Sequence, residues 1–371
     1  MTIESEKLAS CLLSRGVTRL VGVPDSVLSG FCVTAAEVFG EDRHVVAANE
    51  GGAVAHAIGH NLATGEISAV YMQNSGLGNA INPLVSLASP EVYSIPMVLI
   101  IGWRAMPGTK DEPQHVHQGR ITESILDSLD IPYRVVCSDD GEIDDMVDEL
   151  VDVAKSQSTP VAILVPKGSL KSQIEPKRCL SETLMSREEA LRVALGAIDP
   201  KVRIVSTTGM LSRELYENTN QLLDVRAFMT VGGMGHASTI ALGVAASLDG
   251  APVVCLDGDG AALMHLGSLV AIGKQAPAGF VHILFNNGVH DSVGGQETVG
   301  PDFDFTEFAK MCGYSFSRRV SSAVEIEQAV TEARESSGTS FVEILVNPGN
   351  REGIGRPKEA MTSLKPRFMG S

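Results

Sequence analysis

The chain has 371 residues, 44 % of them hydrophobic but only 5 % aromatic, and a formal charge of −16. So negative a field excludes nucleic acid and anionic membrane as ready partners, and the most apolar stretch, residues 95–103, falls far short of the roughly 20 residues of a membrane span. Thirty-seven glycines among short Val/Ile/Leu runs suit an α/β protein with buried parallel strands.

The opening MTIESEKLAS is polar and acidic, unlike a signal peptide. Residues 5–15 read as an amphipathic helix stopped by Gly16. TRLVGVP (18–24) reads as a strand and HVVAAN (44–49) as a second, followed by a helix rich in Ala, Gly and His. ISAVYMQ (67–73), PMVLIIGW (96–103) and PVAILVP (160–166) complete the first series. Residues 167–185, polar and rich in Lys, Ser, Pro and Glu, read as a linker. Taking its core as 171–185 leaves domains at 1–170 and 186–371. Ser186-Arg187-Glu188-Glu189 is a capping box that opens a new helix. A second series follows: VRIVSTTG (202–209), PVVCLDGD (252–259), FVHILFNN (280–287) and FVEILVNPG (341–349). Residues 350–371 read as a loose tail. Continuous apolar runs alternating with helical patterns predict two tandem doubly wound α/β domains with mainly parallel sheets; no short sequence repeat is visible. The cysteines at 11, 32, 137, 179, 255 and 312 form no CxxC pair, which predicts reduced thiols in a cytoplasmic protein.

The strand PVVCLDGD runs into Gly258-Asp259-Gly260, and after 25 intervening residues Asn286-Asn287 ends the next apolar strand. In an open parallel sheet ligands sit at the carboxyl ends of strands, so the two pieces can meet. Asp259 offers a carboxylate and Asn287 an amide oxygen, hard ligands that suit Mg²⁺ shared with phosphates and water. Gly258 and Gly260 admit a diphosphate close to the backbone, and a helix beginning near Ala261 presents free N–H groups to it. GDG alone is equally an ordinary strand-to-helix turn; the spaced pair is far more specific. A nicotinamide site would need GxGxxG opening the domain, where residues 207–212 read TTGMLS.

GDG followed at this distance by NN resembles the signature of the thiamine-diphosphate enzyme family. The resemblance implies thiamine diphosphate and Mg²⁺ as cofactors, with Asp259, Asn287 and the carbonyl of Val289 as metal ligands and Thr208 and Gly209 near the diphosphate. It implies an aminopyrimidine-binding first domain and a diphosphate-binding second. Such chemistry needs a carboxylic acid in a dry site to protonate the aminopyrimidine. Glu50 ends a strand and opens a helix with Gly51-Gly52-Ala53. Alone it reads as a first-turn helix acid; the resemblance makes it the activating residue. In VGGMGH (231–236), Met234 takes the place of the apolar residue beneath the bent cofactor, and Gly232 offers its carbonyl to the aminopyrimidine. In the family the two domains meet across subunits, which implies at least a homodimer.

Residues 102–122, read as a loop, gather Arg104, Lys110, His115, His117 and Arg120 in an otherwise acidic chain. Arginine suits phosphonate or sulfonate oxygens, and histidine can relay protons. Together GVPDS (22–26), DEPQHVHQGRIT (111–122) and NNGVHDSVGGQ (286–296) resemble the phosphonopyruvate decarboxylases, with the sulfopyruvate decarboxylases as close relatives. The resemblance implies decarboxylation of a small anionic 2-oxo acid, in phosphonate natural-product biosynthesis. By it Asp25, His115 and His117 are catalytic and Ser26, His290 and Gln296 bind substrate, to which the chemistry of the guanidinium adds Arg104 and Arg120. A carboligase with the same cofactor remains an alternative.

Overall fold

A computed structural model describes residues 3–136, 142–174, 180–248, 250–275, 277–357 and 359–370. Cys137, Cys179 and part of the expected linker lie outside them. The chain divides into two compact units, residues 1–177 and 178–371. Among the described residues no helix is long and apolar enough to cross a membrane.

The first unit has strands β1 (Ile3–Glu4), β2 (Val17–Gly22), β3 (His44–Val46), β4 (Ile67–Gln73), β5 (Met97–Trp103), β6 (Tyr133–Val135), β7 (Pro160–Pro166) and β8 (Leu170–Lys171). Six of them form a parallel sheet in the order β3-β2-β4-β5-β7-β6. Its central strands are buried on both faces, as continuous apolar runs require. One hydrophobic cluster lies on each side, one around Phe31, Phe39 and Tyr71 and the other around Met72, Ile101 and Trp103. The first part of the expected linker is ordered: β8 pairs in parallel with β1, held by main-chain bonds that a polar sequence does not advertise.

The second unit has β9 (Arg203–Ser206), β10 (Arg226–Met229), β11 (Val253–Gly258), β12 (Phe280–Asn286), β13 (Phe316–Val320) and β14 (Ser340–Leu345). They form a parallel sheet in the order β10-β9-β11-β12-β14-β13. Numbered within its own unit, each main sheet therefore has the order 2-1-3-4-6-5. The capping box is present, with Ser186 and Glu189 bonding reciprocally. The expected loose tail instead carries a helix, Met361–Met369. Leu364 is buried in the core, Met361 packs against it and Phe368 meets the Phe228 ring at a tilt, so three apolar residues dock a segment whose composition is otherwise that of a tail.

Candidate active site

In the second unit a cleft opens at the carboxyl ends of β9, β11 and β12, where the strand order reverses. Thr207, Thr208, Met234, Gly258, Asp259, Gly260, Ala261, Asn287, Val289 and His290 all line it, with Arg187 and Asp291. The helix after GDG starts at Asp259, two residues earlier than expected, because Gly258 is still extended. Asp259 is 2 % exposed, and burial pushes its carboxyl up to about 6 against the hydrogen bonds it accepts from Thr298 Oγ1 and nearby backbone N–H groups. Asn287 donates from Nδ2 to Asp291 Oδ2 at 2.7 Å. Burial lowers His290 to about 4, so it stands in the cleft as a neutral imidazole. Gly209 caps the next helix, while Gly232 is exposed and outside the cleft wall.

The lining suits a magnesium diphosphate. The donors are hard oxygens, and the buried Thr207 hydroxyl has no partner among the described residues. Gln296, on the loop that follows, likewise keeps both amide atoms buried and unpartnered.

In the first unit Glu50 begins the helix Glu50–Thr64, whose Asn49 cap accepts the Gly52 N–H at 2.8 Å. Glu50 is 6 % exposed, and burial raises its carboxyl pKa despite the 2.8 Å bond donated by Asn79 Nδ2. Gly76 makes room for it: a Cβ there would lie 2.6 Å from Glu50 Cγ and Oε1. Gly76→Ala is expected to shift the carboxyl and lower kcat by about 10²-fold, the scale for a 1 Å misplacement. Unchanged steady-state turnover would show that Glu50 can move at no cost to catalysis.

The remaining first-unit residues fall into two groups. Asp25 is completely buried and accepts the Val27 and Leu28 N–H groups and Gln73 Nε2. That last bond crosses the first sheet's own reversal point, between the ends of β2 and β4. Arg104 forks onto Asp111, with Nε to Oδ2 at 2.7 Å, and its Nη1 reaches Ser26 Oγ at 3.0 Å. From residue 113 on, the expected loop is instead the start of a helix, Pro113–Ser128, begun by proline at its first position. Its polar, His-rich first turns hide the apolar period. The helix also divides the two histidines, since positions two apart do not share a face. His115 is half-buried near Arg104 and Asp111, lowered to about 4 by burial and by the Arg104 charge. His117 is exposed, 2.9 Å from Arg120 Nη2, and Lys110 is exposed before the helix.

Two family models match the chain: thiamine pyrophosphate enzyme, N-terminal TPP binding domain, over residues 4–127, and the C-terminal TPP binding domain over residues 207–344. A phosphonopyruvate decarboxylase of Streptomyces viridochromogenes is 35 % identical across 99 % of this chain and 94 % of its own length. The chain belongs to the thiamine-diphosphate-dependent decarboxylase family. Phosphonopyruvate decarboxylase of Streptomyces hygroscopicus is 34 % identical over 99 % of this chain and 93 % of its own. Sulfopyruvate decarboxylase of Methanosarcina acetivorans is 27 % identical over 80 % of each.

Within this decarboxylase, several residues that hold the candidate residues of each unit have little or no signal in the sequence. Asn79 meets Glu50 across 29 positions, and nothing local marks it. Arg187 looked like the interior of a capping box, yet its guanidinium is 7 % exposed and faces Glu214 and Asp291. Asp291 and Thr298 did carry a signal, being polar residues within or just beyond NNGVHDSVGGQ.

Proposed function

We propose that this decarboxylase converts 3-phosphonopyruvate to phosphonoacetaldehyde and CO₂, with Mg²⁺ as its metal. The observation that carries the substrate is extent: relatives named for phosphonopyruvate match 99 % of the chain, against 80 % for the one named for sulfopyruvate. Asp259, Asn287 and the Val289 carbonyl would hold the metal. Thr208, Gly209, Gly258, Gly260 and Ala261 would cradle the diphosphate, with Met234 and Gly232 beside the rings. When bound, the thiazolium supplies the electron sink that a simple 2-oxo acid lacks.

Glu50 would hold a proton at the aminopyrimidine nitrogen, which its burial favours. Arg104 is locked by Asp111, so it would meet the substrate from a fixed direction, with Ser26 beside it. Arg120 and His117, exposed together, are the freer pair for a second anionic group. Gln296 would donate its unsatisfied amide, and neutral His290 and His115 would accept or relay protons. Asp25 would act by holding Gln73 and the turn that contains Ser26 rather than by touching substrate. We take the first unit as the aminopyrimidine-binding domain and the second as the diphosphate-binding domain. Glu50 and Asp259 stand on different units, and we infer self-association, at least a homodimer, with sites completed between subunits.

CO₂ release should be compared for phosphonopyruvate, sulfopyruvate and pyruvate, with thiamine diphosphate and Mg²⁺ present. The expected result is a preference for phosphonopyruvate of at least about tenfold in kcat/KM, on the order of 1.4 kcal/mol. A preference for sulfopyruvate would replace the substrate and leave the chemistry. Condensation products in place of free aldehyde would favour a carboligase.

A further inference from the structure

The loop that joins Asn287 to Gly300 does more than close the cleft. Asn287 is an amide, and a metal can use only its oxygen. Turned over, the same side chain would point an NH₂ group at a cation. Two partners decide between them: the Val289 N–H donates to Asn287 Oδ1 at 3.2 Å, and the Asp291 carboxylate accepts the Nδ2 hydrogen at the shorter distance of 2.7 Å. Asp291 is itself held. Arg187 Nη1 donates to its Oδ2 at 3.1 Å, and the Gly349 N–H reaches its two oxygens at 3.0 and 2.8 Å. Arg187 in turn is fixed by a two-bond fork onto Glu214, at 2.8 Å each, with both side chains buried.

The far end of the loop acts on the other side-chain ligand. Thr298 Oγ1 donates to Asp259 Oδ2. The Gly300 N–H donates to Thr298 Oγ1 at 3.0 Å, which occupies an acceptor position on the hydroxyl and aims its proton at the carboxylate. Gly300 is anchored by Asn286, which donates from Nδ2 to the Gly300 carbonyl at 2.9 Å and to Glu343 Oε1 at 2.8 Å. The crowding is close: a Cβ on Gly300 would lie 2.5 Å from Asp259 Oδ2 and 2.8 Å from Asn286 Oδ1. The two asparagines of NN thus do different work. The first pins the loop and the second faces the cleft.

We infer that the 288–300 loop is an outer shell for the metal, in which Asp291 sets the orientation of the Asn287 amide and Thr298 sets that of the Asp259 carboxylate. Both are positioning residues, and the inference rests on the proposal that Asp259 and Asn287 ligate Mg²⁺. Loss of an outer-shell partner typically costs 10–100-fold in metal affinity.

The test titrates Mg²⁺ into full-length protein stripped of metal, at saturating thiamine diphosphate, and follows cofactor binding by calorimetry. Thr298→Val and Asp291→Ala are each expected to raise the Mg²⁺ midpoint about 10–100-fold. Thr298→Ser, which keeps the hydroxyl, is expected to restore it to within about threefold, well inside that range. With Mn²⁺ in place of Mg²⁺, the electron paramagnetic resonance line shape should change in the first two variants and not in the third. Because Asp291→Ala leaves Arg187 short of a partner, Asp291→Asn, which keeps an oxygen for Asn287, provides a milder version with a smaller shift. An unchanged midpoint in Thr298→Val, or a Ser variant as impaired as the Val one, overturns the inference. A lowered melting temperature without a shifted midpoint would show a purely structural role and also overturn it. Asp259→Asn separates the two levels. If it loses metal-dependent binding while Thr298→Val does not, only the outer shell falls; if it binds normally, the metal assignment falls with it.

Discussion

Glu50→Gln is expected to lower kcat by about 10²–10⁴-fold, the usual worth of a positioned acid or base, while thiamine diphosphate stays bound. The substitution keeps the shape of a side chain that is 6 % exposed and wedged against Gly76, and its amide oxygen can still accept from Asn79. What it removes is the acidic proton. Stopped-flow or steady-state CO₂ release gives the rate, and calorimetry gives the cofactor affinity; full turnover in this variant would sink the assignment. A second readout follows from burial, which raises the Glu50 pKa above its unfolded value. A carboxyl raised on folding contributes most stability below its unfolded pKa, and that contribution is lost as pH rises through the folded one. Melting of the cofactor-free protein should therefore fall with rising pH across that window. In Glu50→Gln the fall should be shallower.

Asp259→Ala is expected to remove metal and cofactor together, leaving no measurable cofactor-dependent turnover. The carboxylate is the one charged group among the proposed ligands, and it is 2 % exposed. Its loss should exceed the 10–100-fold cost of an outer-shell change, so Mg²⁺-dependent binding should weaken by more than about 100-fold. Equilibrium dialysis with labelled cofactor, with and without Mg²⁺, measures this directly. The folded protein should survive, since removing a buried carboxyl whose pKa burial has raised relieves a desolvation cost. Retention of tight binding would mean that the metal is held elsewhere.

Much of this was legible in the sequence because parallel-sheet strands are continuous apolar runs that end in short, chemically distinctive turns. PVVCLDGD and FVHILFNN carry both the strands and the candidate ligands at their ends. Within the two main sheets, three short strands have no clear signal in the sequence, and all three are edge strands: Tyr133–Val135, Arg226–Met229 and Phe316–Val320. Edge strands are half-exposed, so they lose the apolar run that marks the centre. The first turns of the helix Pro113–Ser128, up to Thr122, read as loop because they are filled with Gln, His and Arg, of which His117 and Arg120 are exposed and Gln118 donates to the Asn74 carbonyl. Partners at long range were hidden altogether. Asn79 with Glu50, and Arg187 with Asp291, are separated by 29 and 104 positions, and pairing at such distances is a property of the sheet that brings them together.

The shared 2-1-3-4-6-5 strand order has a genetic consequence. Each main sheet draws all its strands from one continuous half of the polypeptide, and among the described residues neither half lends a strand to the other. The chain carries one strand order twice with no readable sequence repeat, and the copies differ at the reversal point, where the second has an open cleft and the first is bridged by Asp25 and Gln73. It also tolerates a break. A stop and a new start codon placed in the connecting stretch would leave every hydrogen-bonded ladder intact, so one gene could become two, or two be fused into one, without redesigning either core.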